Sequence, residues 1–551
     1  MKFLIIIFIG IRLLSFSQGN FSNPLDIPMY LSGSFAELRS NHFHSGIDIK
    51  TNEEIGFPVY AVQEGWVSRV KVSPWGFGYA IYIAHPTGYT SVYAHLSRFN
   101  SEIGERVLNK QYSEKSFAVD MYFKKGEIPI KQADIIAFTG NTGGSGGPHL
   151  HFEMRETTSQ KPINPLQFKF DIKDTLPPEF INLVLYNTEE NKQFFRPVYF
   201  QDKYLIEDTI LVDDNFELGI VTRDKSNDSD NPLGINKIKY YLGDVLMYSY
   251  ENERFSFSET RYVNAHIDYA EYKTKKRRVQ KMFVEPGNLL SCYSNVGKYK
   301  QINAKQWERG RVEIYDSKNN KSSLEFILKR KDNRTSQNLV IQPNSIKFSF
   351  RSENTFKKQD SIEVYIPKGA LYKDINFFCT VTEDTSYLGH LIYSVHKFTT
   401  PLHKKMTLKI RMPKIDKDLQ SNLLIVEKEG RSLTALKTKI QGNYLVTRTK
   451  YFGDYTVALD TVPPKIILEK LDLSQTEKSI IFIISDNLSG ISSYNAYIDN
   501  RWILLKYDYK THQLYYNWDK HIKKLNQQRK FLLKVTDAVG NISIFEKLID
   551  Y

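Results

Sequence analysis

The sequence predicts an all-β chain of several domains, on three observations. Aromatic residues make up 13 % of the 551 residues, with 35 Tyr and 34 Phe, a composition that favours strands over helical bundles. Apolar and polar residues alternate in short runs punctuated by Pro, Asn, Asp and Gly, as half-buried strands and turns do. One phrase is written twice, since Asp174-Thr-Leu-Pro-Pro returns as Asp460-Thr-Val-Pro-Pro. A chain this long exceeds what one core organises. The expectation is a small β-domain at the front followed by about three β-sandwiches.

The first residues, 1–17, read as a secretory signal peptide. Lys2 precedes an apolar run, and Ser15-Phe16-Ser17 places small residues where a signal peptidase cuts. The alternative is a membrane-spanning helix, but Arg12 interrupts the run, and spanning takes roughly 20 apolar residues. An exported protein, periplasmic or secreted, with no membrane span in the mature chain, is therefore expected. Its two cysteines, Cys292 and Cys379, lie in different expected domains, so no disulfide framework holds it together.

The front domain is read as 18–172. It opens with Gly33 to Lys50, where His44 and Asp48 stand in the spacing H-x-x-x-D. Gly46 and the alternation of Ile47 and Ile49 make this a turn entering a strand. Imidazole and carboxylate are both ordinary zinc ligands. His42 is treated as a neighbour outside the set. Gly56 to Lys71 reads as paired strands, and Gly76–His85 with Tyr89–Ser97 as the next hairpin. His85 reads as structural. His95 ends its strand after Tyr93, and a histidine without a ligand role is what metal-assisted hydrolysis uses to orient water or steady an oxyanion.

A long insert follows, from Arg98 to about Asp134, read as a hairpin, a lid or a disordered loop. The domain then reaches its richest stretch, Gly140-Asn-Thr-Gly-Gly-Ser-Gly-Gly-Pro-His149-Leu-His151-Phe-Glu. In a strand, side chains two apart share a face, so His149 and His151 stand together with Leu150 behind them. Such a pair is either half of a metal site or a surface pair. One of its imidazoles, with His44 and Asp48, makes the three-ligand count of a catalytic zinc site with an open position.

The motifs His44-x-x-x-Asp48, Tyr93-Ala-His95-Leu-Ser and Gly-x-x-Gly-Pro-His149-Leu-His151-Phe-Glu closely resemble the lysostaphin/LytM-type zinc metallopeptidases, from about Gly33 to Phe168. The resemblance implies a small antiparallel β-fold with a groove. It implies one zinc ion held by His44, Asp48 and His151, with His95 and His149 as catalytic histidines. It also implies hydrolysis of peptide bonds in peptidoglycan. The long insert departs from the common pattern and bears on substrate reach. Degenerate relatives act as non-catalytic regulators, so a binding protein of the cell envelope is the alternative. This sequence retains every motif residue.

Behind this domain the expected divisions are 173–338, 339–459 and 460–551. The repeated phrase opens the first and last, which look like immunoglobulin-like modules. The echo continues as Asp230-Asn-Pro-Leu-Gly-Ile against Asp486-Asn-Leu-Ser-Gly-Ile, and as Asp316 to Asn320 against Asp537 to Asn541. Glu251 to Trp307 is extra material in the first copy. The middle region, with Asp360 to Leu371 and a last strand at Tyr451–Leu459, reads as a third sandwich. Formal charge is +13 while residues 18–170 are close to neutral. The basic excess therefore falls on the later modules, densest at Lys273–Lys281. In an exported protein this suggests anionic envelope polymers or envelope proteins as partners, and not nucleic acid, or else a solvated loop.

Overall fold

A computed structural model describes residues 20–187, 191–213, 216–227, 229–294, 307–331, 344–358, 360–472, 479–522 and 527–550. The signal-peptide reading and the 338/339 division fall outside them. Strands dominate, as expected. Among the described residues the α-helices are Ser101–Glu114, Val263–His266 and Tyr269–Lys275, and no helix is long and apolar enough to cross a membrane.

The front region is built on one antiparallel sheet. Its order is Leu31–Gly33, Ile47–Lys50, His149–Glu156, Tyr89–Leu96, Tyr79–Ala84, Gly65–Val72 and Val119–Tyr122. Alternation fixes its faces. Leu150 and Phe152 are fully buried behind the sheet, packed with Ile47, Ile49 and Tyr93, which leaves the histidines on the other face.

The insert becomes a helix and an added edge strand. Asn100 caps the helix by accepting from the Ile103 amide, and Ile103, Val107 and Gln111 face inward at helical spacing. Val119–Tyr122 then pairs with Gly65–Val72, at the edge of the sheet far from Ile47–Lys50.

The first repeated module has two sheets, one centred on Glu179–Tyr186 and Glu217–Arg223, the other on Lys237–Leu242, Trp307–Tyr315 and Lys321–Arg330. Its hydrophobic core is continuous with that of the front region. The extra material carries the join: Phe255 lies against Phe35 and Phe43, with ring centroids 5.5 and 5.7 Å apart. The basic run within it is largely engaged. Lys275 pairs with Glu271 and Lys281 with Glu285, Arg277 covers the Phe194 ring, and Val279 is fully buried.

The middle region closes two five-stranded sheets over a core of its own, including Val364, Leu408, Ile425 and Tyr455. The last module repeats the strand order of the first, with Lys465–Asp472 beside Ser479–Ser485 and Ile491–Ile498 beside Gln528–Asp537. Phe482 meets Phe531 between its sheets at 5.4 Å. One pairing of the echo needs correction. Asp486 directly follows Ser479–Ser485, and the residue in that place in the first module is Asp224, which follows Glu217–Arg223. Asp230 lies on the surface beside Lys225. Extra residues before Gly234 displaced the sequence match.

Candidate metal centre

Ile47–Lys50 and His149–Glu156 are neighbouring antiparallel strands in which Asp48 stands directly opposite His151. His44 is carried in from the loop before Asp48. The three ligand atoms converge: His44 Nε2 is 3.1 Å from Asp48 Oδ1, His151 Nδ1 is 2.9 Å from the same oxygen, and the two nitrogens are 3.1 Å apart. Donors around a tetrahedral zinc, bound at about 2.0–2.2 Å, stand roughly 3.3 Å from one another. All three side chains are buried.

The remaining ring nitrogens fix the tautomers. His44 Nδ1 donates to the Ser34 carbonyl at 2.8 Å, so its Nε2 carries the lone pair. His151 Nε2 lies 2.8 Å from Glu153 Oε1, which turns Nδ1 inward. Two lone-pair nitrogens facing each other across a carboxylate oxygen suit a cation between them, so the donor set fits zinc. Burial works to depress His151, yet its hydrogen bonds to Asp48 and Glu153 raise it to about 9. Burial likewise opposes the Asp48 charge, and His44, His149 and His151 together hold its carboxyl well below the ordinary range.

His95 and His149 flank this centre, with ring centroids 4.8 Å apart. His95 Nδ1 donates to the Thr142 carbonyl and His149 Nδ1 to the Gly147 carbonyl, each at 2.8 Å. Each ring is thus held through Nδ1, and His149 Nε2 reaches within 3.5 Å of Asp48 Oδ1. Burial first, then the charges of His151 and His149, push His95 down to about 3, which keeps it neutral. The glycine-rich loop supplies both carbonyls by lying tight on its neighbours. Gly143 has φ +69°, and a Cβ there would meet the Gly78 amide at 2.3 Å.

All five residues singled out in the sequence thus meet at one place. His42 is exposed and bonds the Ser40 carbonyl. His85 is buried between the Glu64 carbonyl and the Ser91 hydroxyl, as a structural histidine is. Sequence reasoning missed the supports. Glu153 is fully buried and also accepts from Ser45 Oγ and Arg155 Nε, both at 2.5 Å. Its signal was available, since it lies two residues beyond His151 on the same strand face. Arg39 Nη2 donates to Asp48 Oδ2 at 3.0 Å, and Gly33 leaves room for that pair, because a Cβ there would lie 2.5 Å from both groups.

Other modules reach this region. Phe43 N donates to Thr260 Oγ1 at 2.7 Å, Ser229 Oγ donates to the Leu31 carbonyl at 2.7 Å, and Asn264 bonds Asn41 at 3.0 Å. The loop carrying His44 is thereby clamped by the first repeated module. From the last module, Lys510 donates to the Asn141 and Ser145 carbonyls of the glycine-rich loop. Tyr509 packs on Trp75 with centroids 4.1 Å apart, and Tyr112 of the insert helix stacks on His521 at 3.6 Å.

A buried His–Asp–His corner on an antiparallel sheet, flanked by two further imidazoles, is the geometry of a metallopeptidase centre. Comparison with known proteins agrees. Residues 42–112 match Peptidase family M23, and the lysostaphin/LytM-type resemblance stands for the front of the chain. A DD-carboxypeptidase/endopeptidase of Neisseria meningitidis is 32 % identical over 129 residues, covering 23 % of this chain and 23 % of the relative. A peptidoglycan DD-endopeptidase of Vibrio cholerae is 29 % identical over 133 residues, covering 24 % and 25 %. The chain thus spans about a quarter of the length of these curated relatives. The lysostaphin catalytic domain of Staphylococcus simulans is 25 % identical over 24 % of this chain and 87 % of its own, with a TM-score of 0.19. Residues 345–460 match a Zu5-like domain.

Proposed function

We propose that the chain is an exported zinc metalloendopeptidase that hydrolyses peptide bonds of peptidoglycan. The observation that carries this reading is the convergence of His44 Nε2, His151 Nδ1 and Asp48 Oδ1 within 2.9–3.1 Å of one another. Similarity to a peptidoglycan DD-endopeptidase supports the substrate. In this reading 1–17 is a cleaved signal peptide, 18–172 the peptidase domain, 173–338 and 460–551 immunoglobulin-like modules, and 339–459 a third sandwich. The modules hold the enzyme to envelope partners, with anionic polymers the chemistry that the exposed Lys275, Lys276 and Arg278 suit.

His44, Asp48 and His151 hold one zinc ion, the carboxylate offsetting half its charge while Glu153 and the Ser34 carbonyl keep the rings aimed. Zinc bound there supplies a Lewis acid that polarises a peptide carbonyl and brings the pKa of water to about 7. His95 and His149, anchored through Nδ1, offer Nε2 to take the proton of the attacking water, and the ring that takes it returns it to the leaving amine.

Zinc content and sacculus digestion, measured on the mature chain beside Asp48→Ala, test the proposal. The wild type is expected to carry about one zinc and to release new amine ends, and the variant to do neither. A zinc-loaded wild type that cuts no sacculus would leave the envelope-binding reading in its place.

A further inference from the structure

Away from the histidine centre, two clusters of carboxylates occupy corresponding places in the repeated modules. In the first, Asp174 precedes Glu179–Tyr186, Asp224 follows Glu217–Arg223 and Asp316 follows Trp307–Tyr315. In the last, Asp460, Asp486 and Asp537 hold the same positions about Lys465–Asp472, Ser479–Ser485 and Gln528–Asp537. Within each trio the oxygens lie within 4.8 Å of one another.

The turns behind the two trios are alike in detail. Asp316 accepts from the Asn320 amide and side chain at 2.8 and 2.7 Å, and Asn320 Nδ2 reaches the Asp174 carbonyl at 3.2 Å. Asp537 accepts from the Asn541 amide and side chain, both at 2.8 Å, and Asn541 Nδ2 reaches the Asp460 carbonyl at 3.1 Å. Those bonds are internal framework. What they leave over points to a ligand. Asp224 is 3 % exposed and its Oδ1 has no hydrogen-bond partner. Asp486 Oδ1 is likewise buried and without a partner. Two homologous modules each keep a buried carboxylate oxygen unanswered at the same point.

We propose that each repeated module binds a hard divalent cation of the calcium class, held by Asp174, Asp224 and Asp316 in the first and by Asp460, Asp486 and Asp537 in the last. Donors that are all oxygen select calcium over zinc or copper. Like charges gathered out of water need a counter-charge. Each trio sits where the preceding region runs into its module. Asn227 Oδ1 accepts from the Thr175 amide at 2.7 Å beside the first, and Asn422 donates to the Asp460 carbonyl at 2.8 Å beside the last. The cation therefore fastens each linker to the sandwich it feeds.

Calorimetric titration of the zinc-loaded full chain with calcium chloride tests this, beside Asp224→Asn, Asp486→Asn and the double variant. The wild type is expected to take up about two calcium ions with a rise in melting temperature of about 5 °C, each single variant about one, and the double variant none. The order of melting temperatures gives a second readout that depends on no stoichiometry. Without calcium Asp224→Asn melts above wild type, because an amide is buried there without the cost of desolvating or protonating a carboxylate. With calcium it melts below. Asp48→Ala keeps both calcium ions, which separates this result from the fate of the peptidase reading. No calcium uptake by the wild type at millimolar concentration, or amide variants more stable at every calcium level, overturns the proposal.

Discussion

The first and last repeated modules share a strand order and a trio of aspartates, yet they meet the histidine centre differently. The first merges its core with that of the front region through Phe255 and holds the loop that carries His44. The last keeps a core of its own, adding only Leu504 to the shared cluster, and reaches the glycine-rich loop with Lys510 and the turn at Trp75 with Tyr509. One fold serves as foundation in one case and as lateral contact in the other. The difference lies in what was added between the common strands.

The sharpest way to break that contrast is a matched pair of cavities. Phe255→Ala and Phe482→Ala should each cost about 3–5 kcal/mol in denaturant unfolding, since both rings are buried. Only Phe255→Ala should also loosen zinc, because Phe35 and Phe43 flank Ser34 and His44. Equal zinc loss in both variants would erase the distinction between the modules.

A pH series sharpens it next. Burial and the neighbouring Asp316 and Asp174 raise Asp224 to about 8, with Glu179 adding to the effect. An ordinary aspartate titrates near 4, so between those values the folded chain binds a proton that the unfolded chain has lost. In calcium-free buffer this contribution to stability is present below pH 4 and disappears as the pH climbs through 8. Asp224→Asn should flatten that slope when chemical denaturation is followed across the range. A slope unchanged by the substitution would assign it elsewhere.

The smallest effect belongs to the hairpin tip. A double-mutant cycle on Trp75 and Tyr509 should give a coupling of about 0.5–1.5 kcal/mol. Additive single losses would mean that the last module merely rests against the loop.

Much of the site was legible because it is local in sequence and regular in geometry. His149 and His151 share a strand face by alternation, and His44 and Asp48 lie four residues apart across a turn. Glu153 follows the same alternation and needed only the question of what holds the outer nitrogen of His151. The helix in the insert was also written, in Asn100 as cap with Ile103 and Val107 one turn apart, although the insert was read as a hairpin, a lid or a disordered loop. Arg39, Thr260 and Lys510 were beyond reach. Their roles come from contacts between distant parts of the chain, as with Lys510 and Asn141, which periodicity does not encode. The Asp224 counterpart of Asp486 was hidden because aligning the later Gly-Ile pairs drew Asp230 into its place.

The contact between Lys510 and the loop at Asn141 and Ser145 also sets a clock. All five histidine-centre side chains are in the chain by residue 151, when most of the polypeptide is still unmade. The loop that aims two of them gains its last neighbours only after residue 510 has been synthesised. A chain stopped early therefore carries every reactive group but lacks the contact that steadies the loop, and the site is finished only after the hairpin at Lys510 has been made.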